Sequence, residues 1–235
     1  MASERTETSL DNPIWNSLTT RHVSYSEGDD LARRFHPEIG PLAGMRDQSP
    51  EAYEALGKLL APGEFGVLFL DAAPKIPAGW QLQLHRSGDQ MICNEVVAAP
   101  ARDLRIEPLT NADVPEMLEL TRLTNPGPFR TRTIELGGFI GIREGGRLAA
   151  MAGQRLALQG FIEVSGVCTH PEFRGRGYAQ ALVAAIVGSI QERGETPILH
   201  VYSSNVSAIR VYESLGFTLR RTLEIAVVAP PAMPS

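Results

Sequence analysis

The segment EVSGVCTHPEFRGRGYAQ, residues 163–180, constrains the fold of this chain more than any other part of the sequence. An apolar stretch ends at His170-Pro171, a turn rich in arginine and glycine follows, and residues 178–193 then carry apolar side chains at helical spacing. The segment therefore predicts a strand that leads through a turn into a helix. A helix N-terminus presents unpaired N–H groups and the positive end of a dipole, so the turn predicts a phosphate site.

The residue types of this turn suit a phosphate ligand. Two glycines allow the backbone to approach the ligand closely, and two arginines supply positive charge around it. We expect the ligand to contact the turn and the first helical residues, namely Arg174, Gly175, Arg176, Gly177, Tyr178, Ala179 and Gln180.

Composition excludes several other classes of protein. The net charge of −5 argues against nucleic acid or an anionic membrane surface as the main partner. The polar N-terminus lacks the apolar core of a signal peptide, and the most apolar helical run, residues 182–190, is roughly half of a membrane span. With only Cys93 and Cys168, neither a disulfide framework nor a cysteine metal site is predicted. We expect a cytoplasmic protein without a metal, as a monomer or homodimer.

The order of predicted elements indicates a mixed α/β fold. A small-residue stretch at 97–101 predicts a linker between an N-terminal α/β region, residues 1–100, and a second domain, residues 101–228, followed by a disordered tail, residues 229–235. The first region carries a helix at 50–60, a strand at 65–70 and a hairpin within 80–94 that turns at Ser87-Gly88-Asp89. The second domain alternates strands (104–109, 139–143, 147–156, 161–169, 198–202, 217–228) with helices (113–123, 178–193, 206–215).

Three kinds of phosphate site compete for the turn. A Walker loop needs Gly-Lys-Ser/Thr at its end, which is missing, and a dinucleotide fold needs a small residue where Gln180 stands. Coenzyme A is the third possibility. The pattern Arg174-x-x-Gly177-x-Ala179 resembles the R/Q-x-x-G-x-G/A signature of the GNAT superfamily of N-acetyltransferases. The segment NVSAIRVYESLGF, residues 205–217, resembles the N-x-x-A-x-x-x-Y-x-x-x-G-F segment of the same family.

The resemblance covers roughly residues 103–228 and implies the fold and the acyl donor. It implies a GNAT fold with a central mixed sheet flanked by helices, and acetyl-CoA as the acyl-donor substrate. The N-terminal region would suit a degenerate half-copy of the same fold. The family's splayed strand would place cofactor and oxyanion contacts at Val167, Cys168 and Thr169, and Asn205 would contact the pantetheine arm.

Acyl transfer from a thioester to an amine requires a base, an oxyanion site and an acid for the leaving thiolate. Glu163 is our candidate base because it lies on the strand that leads to the turn, and His200 is the alternative. Each could equally be an ordinary strand residue. The resemblance implies Tyr212 as the acid; it lies seven residues after Asn205 and so projects from the same helix face.

A Cys168–His170 nucleophile pair is conceivable, but a small buried cysteine is the simpler interpretation. We therefore expect an acetyl-CoA-dependent N-acetyltransferase that acts on a small-molecule or peptide amine by direct attack in a ternary complex. A non-catalytic CoA-binding module and an enzyme for longer acyl-CoA substrates stay open as alternatives. Residues 126–130 and the hairpin around Gly145 are candidates to border the acceptor pocket.

Overall fold

The computed structural model describes residues 7–95 and 104–231. The helices of the described residues are α1 Pro13–Thr19, α2 Pro50–Leu59, α3 Val114–Thr124, α4 Tyr178–Glu192 and α5 Val206–Glu213. The strands are β1 Ser26–Gly28, β2 Ala32–Phe35, β3 Ala43–Met45, β4 Gly66–Leu70, β5 Gln81–Cys93, β6 Ile106–Pro108, β7 Ile140–Glu144, β8 Arg147–Leu158, β9 Phe161–Thr169, β10 Thr196–Tyr202 and β11 Phe217–Ala229.

Eight of these strands form one mixed sheet in the order β4-β11-β5-β10-β9-β8-β7-β6. Neighbouring strands are antiparallel except β9 and β10, which are parallel. The remaining strands, β1 to β3, form a small antiparallel sheet. The prediction of a mixed α/β fold with a central sheet is thus confirmed.

Helices and the N-terminal segment cover the two faces of the large sheet. On one face α4 buries Leu182, Ile186 and Ile190, which explains their four-residue spacing in the sequence. On the other face Leu10 and Ile14 pack against apolar side chains of β4, β8, β9, β10 and β11. Residues near both ends of the chain therefore share one core.

The predicted hairpin at Ser87-Gly88-Asp89 is wrong, because β5 runs without a turn through all thirteen of its residues. Gly88 has a packing role instead. A Cβ atom at this position would lie 2.4 Å from the Cδ1 atom of Ile225 on the neighbouring strand. A glycine that admits a neighbouring side chain resembles a turn glycine in sequence, and this similarity misled the prediction.

That the N-terminal region is a degenerate half-copy of the fold stays a prediction. The strands β4 and β5 join the main sheet, and β5 lies between β10 and β11. The predicted linker, residues 97–101, lies outside the described residues, as do residues 232–235 of the predicted tail. Over the ranges 7–95 and 104–231, no helix is both long and apolar enough to cross a membrane.

Candidate active site

The glycine-rich turn has the shape expected for an anion site. It connects β9 to α4, and both Gly175 (φ +76°) and Gly177 (φ +77°) adopt the left-handed conformation that favours glycine. Space around Gly175 is open, since an added Cβ would meet no atom within 4 Å. Gly177 directly precedes the first turn of α4, so the helix N–H groups are free of a capping side chain from that position.

Charged side chains surround the turn. Arg174 and Arg176 are exposed, and the guanidinium of Arg176 lies 5.1 Å from the ring centre of Phe173 and 3.9 Å from Oε1 of Glu144. The buried Tyr178 donates its hydroxyl hydrogen to the same carboxylate. The Tyr178 side chain is thereby committed to the protein, which leaves its backbone N–H at the helix N-terminus for a ligand.

Beyond the turn, Ala179 and Gln180 continue the first turn of α4, and both are half-buried. The Gln180 amide donates to the Ser214 hydroxyl at 3.3 Å, which joins the start of α4 to the end of α5. The sequence motifs predict that α4 and α5 contribute to one site, and this hydrogen bond shows that the two helices are in contact.

A cleft opens between β9 and β10. Their parallel pairing joins Phe161–Glu163 to Thr196–Ile198 only, and beyond these residues β9 pairs with β8 while β10 pairs with β5. Gly166 (φ +63°) lies where the β8–β9 register shifts. Over the described residues, the facing edges of β9 and β10 are therefore unpaired above Glu163, and backbone groups there can meet a ligand.

The three predicted strand contacts differ from one another in their surroundings. Val167 and Thr169 are half-buried on the open part of β9, and the Thr169 hydroxyl is buried without a hydrogen-bond partner in the described part of the chain. Cys168 packs into a core cluster that contains Met151, and burial raises the pKa of its thiol to about 11. A thiol that retains its proton is a poor nucleophile. The structure therefore favours a simple buried cysteine over a Cys168–His170 pair.

Glu163 is fully buried at the base of the cleft and fully hydrogen-bonded. Its carboxylate accepts from Nε and Nη2 of Arg155 at 2.8 and 2.7 Å, and from the Leu156 N–H at 3.2 Å. It also lies 2.7 Å from Nδ1 of His200. Burial alone would raise the pKa of Glu163, but the charge and hydrogen bonds of Arg155, with the hydrogen bond from His200, hold it far below its usual range.

The side chain of His200 is also enclosed, with 3% of its surface exposed. Its Nε2 lies 2.9 Å from the amide nitrogen of Gln90, which also donates to the Leu10 carbonyl at 2.8 Å. Arg220 donates to the Gln90 carbonyl oxygen at 2.8 Å, which fixes the orientation of that amide. These contacts assign Nδ1 as the donor to Glu163 and Nε2 as the acceptor from the Gln90 amide. Both candidate bases thus belong to one buried network.

The α5 segment carries the other two predicted residues. Asn205 is the N-cap of α5, with its Oδ1 accepting from the Ala208 N–H at 3.3 Å. Tyr212 is half-buried with its ring centre 6.0 Å from that of Phe217, and burial raises its pKa to about 12. A phenol with this pKa stays protonated throughout the neutral range and can donate a hydrogen bond there.

Sequence reasoning missed Arg155 and Tyr202. Arg155 lines a small cleft together with Phe129 from the loop after α3 and Ser165 from β9. Tyr202 ends β10, is 42% exposed and is close enough to Arg155 to influence its pKa. The sequence held a signal for Arg155, because it is a charged residue in the interior of the mostly apolar strand β8, whose other charge, Arg147, stands at the start of the strand. Of the predicted acceptor borders, residues 126–129 do line this cleft. The hairpin at Gly145 instead adjoins the glycine-rich turn through Glu144.

The chain is similar to known acetyltransferases in both sequence and structure. The model of a family described as FR47-like protein matches residues 139–225. A crystal structure from Novosphingobium aromaticivorans, assigned to the GNAT family of acetyltransferases, is 39% identical. It superposes with a TM-score of 0.87, and the comparison covers 94% of this chain and 98% of that one.

Two curated relatives match over shorter segments. The mycothiol acetyltransferase of Thermobispora bispora is 42% identical over 64 residues, which are 27% of this chain and 21% of that protein. The ribosomal protein bS18-alanine N-acetyltransferase of Escherichia coli is 31% identical over 84 residues, 34% of this chain and 56% of that protein. The match thus spans less than two thirds of either relative. The Novosphingobium relative, in contrast, is covered almost completely, and we conclude that this chain belongs to the GNAT family of acetyltransferases.

Proposed function

We propose that the protein is an acetyl-CoA-dependent N-acetyltransferase that transfers the acetyl group to an amine by direct attack in a ternary complex. One observation carries this proposal: the open glycine turn at the start of α4 lies beyond the carboxyl end of β9, which separates from β10 along the same stretch. A pyrophosphate on the turn and a pantetheine arm along the unpaired edge of β9 would bring the thioester into the cleft. The acceptor class, the compartment and the oligomeric state stay predictions.

The residues of the chain fit coenzyme A. Arg174, Arg176 and the N–H groups of residues 178–180 would hold its phosphates, with Gly175 giving them room. The backbone of Val167, Cys168 and Thr169 would contact the arm and the thioester oxygen, and the exposed Asn205 would contact the arm from α5.

In the reaction, the amine nitrogen forms a bond to the thioester carbon, the carbon–sulfur bond breaks, and the amine loses a proton. We assign Tyr212 to the departing sulfur. Since its pKa of about 12 lies above that of a thiol, about 8.5, the phenol would stabilise the thiolate chiefly by donating a hydrogen bond, and water would complete protonation.

The buried network makes Glu163 and His200 poor candidates for the base. Glu163 has little affinity for a proton beside Arg155, and both ring nitrogens of His200 are engaged. This geometry favours a positioning role for both residues, in which they hold Arg155 at the cleft. An acceptor that arrives as the free amine needs no protein base, and the rate would then rise with pH until the acceptor has lost its proton.

Release of free thiol from acetyl-CoA over a panel of amines tests the proposal. Gly177→Asp should abolish CoA binding, because it adds a negative charge at the phosphate site and a side chain at a left-handed position. Gly63→Asp is the matched control: Gly63 has φ +84°, an added Cβ would meet nothing within 4 Å, and it lies in the N-terminal region. Equal loss of CoA binding in both variants would contradict the assignment of the turn.

The enclosed state of Glu163 and His200 also favours a second candidate, a non-catalytic CoA-binding module. In that case CoA would raise the melting temperature without turnover on any amine. Tyr212→Phe would leave its function intact, while Gly177→Asp would abolish it. Comparing stabilisation by acetyl-CoA, propionyl-CoA and free CoA separates a longer acyl donor from both.

A further inference from the structure

The strand β5 is much longer than its neighbour β10. Pairing with β10 covers only Gly88 to Ile92 of β5, and the last contact beyond it is the Ser203 N–H donating to the Ser87 carbonyl at 3.1 Å. On its other side β5 pairs with β11 over its whole length. Residues 81–86, which we call the open edge, therefore have no strand on the β10 side in the described part of the structure. At about 3.3 Å per residue, this edge is roughly 20 Å long.

The open edge is accessible. Gln81, Leu82, Gln83, His85 and Arg86 are all exposed. Because the side on which a strand presents its N–H and C=O alternates along the chain, the backbone groups of His85 face the same side as those of Ser87, away from β11. A row of unpaired backbone groups of this kind is a template for another strand.

The position of the open edge relates it to the acyl-transfer cleft. It begins where β10 ends, so a segment on this edge would continue the line of β10 outward from Tyr202. The end of that segment nearest Tyr202 would lie at the mouth of the cleft between β9 and β10. A segment with its α-amine at this end runs in the direction of β10, and it is therefore antiparallel to β5.

The charge of Arg86 favours a bound segment that carries an acidic side chain. The guanidinium carbon of Arg86 lies 6.0 Å from the ring centre of Tyr202, and among the described residues Arg86 forms no salt bridge. An acidic side chain near the start of a bound segment would find an exposed cation there. A symmetric pairing of two open edges would bring two copies of Arg86 onto one short interface. Its six residues a side are also far fewer than the 20–30 residues a side of a standard stable interface.

We propose that the open edge of β5 binds the acceptor as an extended peptide, antiparallel to β5, with its N-terminal amine at the Tyr202 end and an acidic residue near Arg86. The proposal rests on the proposed acetyltransferase function and names its substrate class. Backbone hydrogen bonds to the edge would supply affinity, and Arg86 would supply selectivity.

Synthetic peptides test the backbone pairing without changing the protein. The probes are Ser-Glu-Ser-Val-Thr-Val-amide, its first residue alone as serinamide, and two versions N-methylated at residue 3 or at residue 4. Only alternate N–H groups of a strand face its partner, so methylation at one of the two positions should lower kcat/KM about tenfold or more, and methylation at the other should not. The unmodified hexapeptide should exceed serinamide by at least the same factor.

Arg86→Glu should lower kcat/KM for the hexapeptide about tenfold and leave the rate on serinamide unchanged. A peptide with Lys in place of its Glu should reverse the preference, so that the Arg86→Glu variant acts on it faster than the unmodified protein does.

Turnover of serinamide equal to that of the hexapeptide, or equal effects of the two methylations, would overturn the proposal while the acetyltransferase function stands. Absence of turnover on every amine, despite CoA binding, would defeat the proposed function instead. A dimer in sedimentation that Leu84→Lys dissolves would assign the edge to a second copy and overturn the proposal.

Discussion

At the base of the cleft, Glu163 is held by Arg155 on one side and by His200 on the other. The sequence placed this carboxylate correctly on the strand that leads to the turn, but it could not reveal these two partners. Buried charges persist only where they are paired, so the network explains why three polar residues occur in otherwise apolar strands. The contacts of a charged residue therefore distinguish a structural role from a catalytic one, which its residue type alone does not.

Glu163→Leu should destabilise the protein by about 3–5 kcal/mol, because it leaves Arg155 buried without a counter-charge. The double variant Arg155→Met/Glu163→Leu should recover most of this loss, since it removes both charges. Urea denaturation of the three proteins measures the difference. If the double variant were as unstable as the single one, the loss would come from packing and not from the unpaired arginine.

Tyr212→Phe should lower kcat roughly tenfold to a hundredfold while the KM for acetyl-CoA stays nearly unchanged, because it removes only the hydroxyl group that we assign to the departing sulfur. Steady-state kinetics of thiol release measures both constants. The matched control is Tyr53→Phe, which removes the hydroxyl of a buried tyrosine on α2. An unchanged kcat in Tyr212→Phe would exclude the assignment.

At the scale of elements, two glycines inside regular structure have different structural roles. Gly88 lies inside β5, where its lack of a Cβ admits Ile225, while Gly188 lies inside α4 with open space around it. The sequence suggested a turn at the first and a continuous helix at the second. Only the neighbouring strand distinguishes a packing glycine from a turn glycine.

Gly88→Ala should destabilise the protein by about 1–3 kcal/mol through the forced contact with Ile225, and Ile225→Val should relieve part of that loss in the double variant. Gly188→Ala should instead stabilise it by about 0.5–1 kcal/mol, because alanine has the higher helix propensity. Thermal or urea unfolding measures whether each variant is less or more stable than the unmodified protein. A neutral Gly88→Ala would mean that β11 shifts readily to accept the methyl group.

At the scale of the whole molecule, the N-terminal region and the motif-bearing domain are joined through one sheet. Because β5 separates β10 from β11, residues 104–231 alone would lack the strand that both of these neighbours pair with. On the opposite face, Leu10 and Ile14 cover part of the same sheet, and Gln90 links the Leu10 carbonyl to His200. The N-terminal residues thus support the site without carrying its motifs.

A fragment of residues 104–231 should accordingly fail to unfold cooperatively, since its sheet would be interrupted between β10 and β11. Adding a separate fragment of residues 7–95 should restore a folded complex. Circular dichroism during urea titration, with the two fragments apart and together, measures this. A stable, cooperative 104–231 fragment would show that β10 and β11 do not need β5.

Stability should fall as the pH decreases from about 6.5 to about 4, because of His22. Burial, followed by the nearby charge of Arg21, lowers the pKa of His22 to about 4, and its Nδ1 is 2.9 Å from the Ser17 hydroxyl. The unfolded chain therefore binds a proton more readily in this range, and the loss reaches about 3 kcal/mol when complete. Urea denaturation between pH of about 4.5 and about 7 measures the slope, and His22→Gln should flatten it. The same slope in the variant would assign the effect to other groups.

The sequence by itself determined the local structure and the family of the site. Helical spacing set α4, the cap Ser49 set the start of α2, and the glycine turn with the Asn205 segment indicated the cofactor, because these signals act over a few neighbouring residues. The tertiary structure alone decided the place of β5 between β10 and β11, the closed network of Glu163 and His200, and the open edge beside the cleft. These depend on contacts between residues far apart in the chain, whose pairing no local pattern encodes.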